Sequence, residues 1–201
     1  MAAFTRNGYG QVEPNQLSAQ KTGQIYASLP LDTNVTVLQN GEFMYYDYKT
    51  STVTADATVG EPMLVFNEIK LYEPAWQTSY KDFAMIRVGD NYVTSRPATG
   101  TYGDGATNVG APDANHTEYG YRMDGIAPRL FKTNIGDIYT TNMVKTGVEY
   151  AVGDLLSPVK DTNSNTLVLE TAAGTEDMLW QVAKVYTMPD GQPGLKLQRV
   201  K

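Results

Sequence analysis

Few side chains in this sequence could do chemistry. The single histidine, His116, sits in a Gly/Asn-rich stretch, and any Ser-His-Asp relay would have to use it. No serine lies in a Gly-x-Ser-x-Gly context to act as its nucleophile, so His116 reads as a surface-loop residue. A histidine-based metal site needs several imidazoles, and here there is one. Gly100–Gly110 (GTYGDGATNVG) has the glycine density of a phosphate loop, but it lacks the Lys-Ser/Thr terminus and opens no helix. Asp161, Asn163 and Asn165 alternate oxygen ligands as a calcium loop does at its start. Ala172 stands where the bidentate glutamate belongs, so this reads as an Asx-rich turn.

Carboxylates among aromatics are the sharpest remaining pattern. Asp47, Glu68, Glu73 and Asp82 lie near Tyr45, Tyr46, Tyr48, Trp76 and Tyr80, as on a sugar-binding face or beside a glycosidic bond. The chain has 14 tyrosines spread along its length, which favours a tyrosine-rich sheet or subunit interface instead. Three Gly-Asp pairs (Gly89-Asp90, Gly136-Asp137 and Gly153-Asp154) each follow an aliphatic residue and precede a strand-like run. They read as turns in which glycine takes φ > 0 and aspartate bonds the backbone. No catalytic residue, cofactor or metal ligand is expected.

The elements that carry these residues are mostly strands. At 201 residues the chain can bury a real core, as one domain or two small ones. Hydrophobic content of 41% against 19% charged makes it globular, and a net charge of −6 provides no basic field for nucleic acid. Cysteine is absent, which removes disulfides and thiolate chemistry and agrees with folding in a reducing cytoplasm. The first residues carry no apolar signal core, and no run approaches the roughly 20 residues that span a bilayer. No membrane role is expected.

Residues 1–23 lack apolar periodicity and read as an extended N-terminal arm with spaced anchors Phe4, Tyr9, Val12 and Leu17. Residues 24–201 form a β-rich body. It divides into a first β unit (24–96), a long Gly/Ala/Asn-rich loop (97–127) and a second β unit (128–201). Asn40-Gly41 between apolar runs signals a hairpin. Two stretches mirror each other: Met63–Pro74 (MLVFNEIKLYEP) and Met178–Pro189 (MLWQVAKVYTMP), preceded by Gly41-Glu42-Phe43-Met44 and Gly153-Asp154-Leu155-Leu156. One supersecondary unit used twice is the reading. The fold class is mainly β, a sandwich- or barrel-like body of two similar β units.

Three segments, NQLSAQKTGQIYA (15–27), LQNGEFMYYDY (38–48) and NIGDIYTTN (134–142), together with the closing VYTMPDGQPGLKLQRV, carry a family likeness. The chain resembles virion structural proteins of tailed bacteriophages, nearest to capsid decoration or cement proteins of the head. The resemblance implies a β-rich module, made in the host bacterial cytoplasm, that clamps adjacent major capsid protein subunits in the virion in many copies, often as homotrimers. It makes the arm (Phe4, Tyr9, Val12, Leu17) and the loop tyrosines (Tyr102, Tyr119, Tyr121) the expected partner-binding residues. A tail or fibre component, or a carbohydrate-binding module on the virion surface, is the alternative.

Overall fold

The computed structural model describes residues 3–6, 10–35, 37–67, 85–87, 127–188 and 191–201. The chain is mainly β, as its turn-punctuated sequence predicts. One large antiparallel sheet curls into a half-barrel, and the described residues include one short helix and a single 3₁₀ turn.

The strands in chain order are β1 (Val12–Gln16), β2 (Ile25–Tyr26), β3 (Val37–Gln39), β4 (Phe43–Asp47), β5 (Thr52–Thr54), β6 (Met63–Val65) and β7 (Met85–Arg87). They continue with β8 (Leu130–Phe131), β9 (Ile138–Thr141), β10 (Leu155–Asp161), β11 (Thr166–Thr171), β12 (Trp180–Thr187) and β13 (Pro193–Arg199). Helix α1 covers Ser18–Thr22 and ends at Gly23 in the left-handed region. The large sheet runs β1-β9-β13-β12-β10-β11-β4-β6-β8-β2, with β5 on β4, and β3 pairs β7 separately. Strands from both halves of the chain therefore interleave in one sheet.

Three turns build this sheet, and they are one motif. In Gln39-Asn40-Gly41-Glu42, Asn134-Ile135-Gly136-Asp137 and Ala151-Val152-Gly153-Asp154, the fourth residue's N–H donates to the first residue's carbonyl, at 3.0–3.3 Å. The fourth residue's carboxylate accepts the first residue's N–H, at 2.7–2.9 Å. Each glycine has φ of 94–98° while Asn40, Ile135 and Val152 stay negative, which makes all three type II turns. Each glycine N–H then donates to a strand carbonyl, on Val65, Arg199 or Val182, and that residue's own N–H returns to the acid's carbonyl. The acid leads directly into an apolar strand start that pairs with the same strand. Phe43 faces Leu64, Leu155 faces Gln181, and Ile138 faces Gln198. The Gly-acid turn that precedes both Met-Leu stretches is thus present three times among the described residues. Its register sets Val65 against Val182, two residues away from the alignment of the two Met-Leu pairs.

The type II geometry corrects one expectation. Asn40-Gly41 turns the chain but makes no hairpin, because β3 pairs β7 whereas β4 pairs β5, β6 and β11. Two-residue hairpins need the primed turns whose twist matches the strands, and a type II turn splays them.

The large sheet has a seam. β10 and β12 share only Leu155↔Gln181 and Leu156↔Trp180, and each strand then runs past the other in opposite directions. On one side lie β1, β9, β13 and β12, and on the other β10, β11, β4, β6, β8 and β2. Trp180 closes the seam. Fully buried, it meets Tyr139 of β9 edge-on at 4.8 Å and Phe43 of β4 at 6.0 Å, one ring from each side. Two of the open edges carry a proline, Pro14 in β1 and Pro158 in β10, and a proline cannot donate to an added strand.

The N-terminal segment corrects a second expectation. It is extended over Val12–Gln16, but it docks on its own body, with β1 antiparallel to β9. Phe4, Leu17 and Ala19 are buried in the common core. Phe4 is pinned by its N–H to the Val148 carbonyl at 2.7 Å and by Gly147 N–H to its own carbonyl at 2.9 Å, with its ring edge-on to Tyr150. The run Val-Glu-Pro-Asn-Gln has neither alternation nor β propensity. Pairing with β9 makes it a strand, with tertiary contacts overriding local preference.

Candidate partner-binding surface

The expected partner-binding residues separate in the fold. Phe4 and Leu17 are 6% and 2% exposed and serve the chain's own core, so neither presents a surface to a partner. Val12 is half-buried in β1 and packs against the same core. Tyr9, Tyr102, Tyr119 and Tyr121 lie outside the described residues, as do His116, Gly100–Gly110, Glu68, Glu73, Trp76, Tyr80, Asp82 and the Gly89-Asp90 turn.

The acids the structure describes are mostly engaged with backbone. Asp47 accepts the Lys49 N–H at 2.8 Å and the Thr50 hydroxyl at 2.7 Å, and that hydroxyl bond, with the N–H, holds its carboxyl below the ordinary range. Asp137 and Asp154 cap the repeated turns, and Asp137 also receives the Ser18 N–H and hydroxyl at the start of α1. Asp161 accepts the Asn163 N–H at 2.8 Å, and Asn165 takes φ of 54°, an Asx turn as the sequence predicts. Glu176 binds the N–H groups of Ala173 and Gly174, and backbone hydrogen bonds lower its pKa. Among the described residues no group of three or more acidic or imidazole side chains could hold a metal. No described helix is long and apolar enough to cross a membrane.

Glu42 differs from the other turn acids. It is 2% exposed, accepts the Gln39 N–H and the Thr166 hydroxyl, and sits in the field of Arg6. Burial outweighs these three and raises its pKa from 4.5 to about 7. A carboxyl raised in the fold favours folding most when both states are protonated, below pH 4.5. That advantage is lost as pH climbs toward 7 and stays lost above it. Glu42→Gln keeps both bonds, since its oxygen can accept the Gln39 N–H while its amide donates to Thr166. The variant is expected to match the wild type near pH 4 and to exceed it by about 3 kcal/mol near pH 8, at 1.36 kcal/mol per unit. Urea midpoints at the two pH values check this; a constant difference across pH would contradict it.

What the fold presents outward is apolar tips on rigid turns. Ile135 and Val152 are 72% and 67% exposed, each at the second position of a repeated type II turn. The glycine and the acid bond to the sheet and leave Ile135 and Val152 in water, whereas the equivalent Asn40 is buried and exchanges hydrogen bonds with Asn67. In sequence the two exposed tips are the aliphatic residues directly before Gly-Asp, where the buried one is an asparagine before Gly-Glu. A second exposed feature is a tyrosine ladder, with Tyr26 5.2 Å from Tyr46, Tyr46 4.9 Å from Tyr48, and Tyr48 69% exposed. Nearby a cleft of about 610 Å³ is lined by Tyr45, Glu61, Ser157, Asp177 and Met178 among others. Glu61 is held there by Arg199, which also binds Thr133 and the Lys201 carbonyl.

No protein-family model matches the chain, and neither a curated protein nor a solved structure matches it. Its class is therefore defined by the fold alone: a mainly β protein built on one curled antiparallel sheet.

Proposed function

We propose that this chain is a structural protein of a tailed-bacteriophage virion, a decoration or cement protein that cross-bridges major capsid protein subunits and stabilises the head. The observation that carries the reading is the pair of rigid, water-exposed aliphatic tips, Ile135 and Val152, set on hydrogen-bonded turns. Apolar anchors fixed in place by a scaffold lose little conformational freedom on docking. The blunted edges of β1 and β10 turn docking away from strand addition toward these side chains. The resemblance of residues 15–27, 38–48 and 134–142 to phage structural proteins is what supports the major capsid protein as the partner. Assembly as a homotrimer and weak single contacts multiplied by symmetry complete the proposal.

The paired substitution Ile135→Glu with Val152→Glu tests it. Both side chains are already in water, so the thermal midpoint should hold, within the roughly 0.5 kcal/mol typical of surface changes. Co-sedimentation with shells that lack this protein should fall at least tenfold, which corresponds to about 1.4 kcal/mol. Unchanged co-sedimentation would remove the tips from the interface.

The tyrosine ladder favours a second reading, a tail, fibre or glycan-binding component of the same virion. Tyr48 offers an exposed ring face backed by two more rings, the way sugars are stacked. Glycan binding that disappears in Tyr48→Ala would favour it over the cement role.

A further inference from the structure

The second cleft of the body is walled by Lys160 and Asp161 of β10 and Val168 and Glu170 of β11, and it is polar. About 390 Å³ in volume, it is lined by Arg6, Lys145, Lys160, Asp161, Thr162 and Glu170 among others. In a chain of net charge −6, three cations converge here. Lys145 is engaged by Glu170 at 2.6 Å, and Asp161 caps its own turn through the Asn163 N–H. Lys160 is exposed on the open flank of β10.

Arg6 is the unusual member. Its guanidinium is half-buried, and its one hydrogen-bond partner among the described residues is the Met143 thioether, at 2.8 Å from Nη1. A thioether is a weak acceptor, and a guanidinium has five donors in a planar fork that matches a carboxylate. Glu42 and Asp161 act on it only through their fields. Arg6 is also held in place, because Phe4, two residues earlier, is buried and hydrogen-bonded on both sides. Most of the fork is thus positioned and undersaturated at the wall of a cleft.

Charge count selects the ligand. Arg6, Lys145 and Lys160 against Asp161 and Glu170 leave one positive charge on the cleft wall, partly offset by buried Glu42 near neutral pH, so the site suits at most one monoanion. A phosphate dianion would overcompensate it beside two fixed carboxylates. We propose that this cleft is a carboxylate-binding site that takes one aspartate or glutamate side chain of the protein on which this chain docks. Arg6 makes the bidentate contact, Lys160 adds a second charge from the rim, and the Thr162 hydroxyl is the neutral donor. This rests on the docking role proposed above for the whole chain, and it adds a charged contact to the apolar tips.

The test uses the full ¹⁵N-labelled chain with N-acetylglutamate α-amide as probe, and N-acetylglutamine α-amide and inorganic phosphate as comparators. The glutamate probe is expected to shift the backbone amides of Thr146, Thr162 and Asn163 saturably, with a dissociation constant on the order of millimolar. Arg6→Gln should weaken binding about tenfold and Lys160→Gln about threefold. Lys160 is exposed, so its variant remains informative if Arg6→Gln perturbs the fold. Absence of saturation, equal shifts from the glutamine probe, tighter binding of phosphate, or no loss in Lys160→Gln would each overturn the assignment. A chain that binds the probe yet is absent from virions keeps the site and loses the virion role. One found in virions that ignores the probe does the reverse.

Discussion

Deleting residues 1–20 is expected to unfold the protein. The sequence reads residues 1–23 as an extended arm with partner-facing anchors, but the structure buries Phe4, Leu17 and Ala19 in the core. Leu17 and Phe4 are buried, and full burial of each contributes about 1.5–3 kcal/mol. The deletion also strips β1 from β9, leaving the N–H and C=O groups of Ile138–Thr141 unpaired on that side. It further removes the Gly10 N–H that donates to the Gln39 side chain at 2.7 Å, beside the first repeated turn. The sum reaches the roughly 5–15 kcal/mol by which domains of this kind are stable. Circular dichroism and a loss of the cooperative urea transition would register it. A truncated chain that unfolds cooperatively near the wild-type midpoint would show that the arm is dispensable.

Trp180→Ala is expected to cost about 3–5 kcal/mol, at the upper end of large-to-small core changes. The reason is position as much as size. The two sides of the large sheet share two residue pairs at the β10–β12 seam, and Trp180 is in one of them. Its ring fills the space between Tyr139 and Phe43, which approach it from opposite sides of that seam. Removing the indole leaves a cavity that neither side can close without breaking Leu156↔Trp180. Its buried N–H has no partner among the described residues, so no hydrogen bond is lost in exchange. Trp180→Phe should lose roughly half as much, since a ring remains at the contact. Equilibrium urea unfolding measures both. A cost below about 1 kcal/mol for the alanine variant would mean that the seam is held elsewhere.

Much of the fold was legible because turn chemistry is local. Gly136-Asp137 and Gly153-Asp154 announce φ > 0 and a side-chain cap within four residues, and the strands that follow them begin where expected. Buried Trp180 and Val182 on either side of exposed Gln181, and buried Leu195 and Leu197 on either side of Lys196, give the β12–β13 pair. What could not be read was long-range. Val12–Gln16 becomes a strand only because β9 offers an edge, and no local pattern in VEPNQ encodes that. Asn40-Gly41 looks like a hairpin until the sign of φ at Asn40 is known. The partner-facing residues were sought among the arm anchors Phe4, Tyr9, Val12 and Leu17 and the loop tyrosines Tyr102, Tyr119 and Tyr121, which follow composition. Ile135 and Val152 stay in water while Asn40, at the same place in the same turn type, is buried against Asn67, so exposure there depends on what packs over each turn. Glu42 was visible only as a turn acid; its burial depends on Thr166 and Arg6, 124 residues downstream and on the N-terminal segment.

The docking role stands or falls on copy number. Quantitative peptide mass spectrometry of density-banded particles from the source lysate would give the ratio of this chain to the most abundant shell protein. The cement reading predicts a ratio near one or a simple fraction of it, as symmetric decoration requires. A handful of copies per particle would move the chain to the tail or fibre, and absence from the particles would contradict a virion role outright.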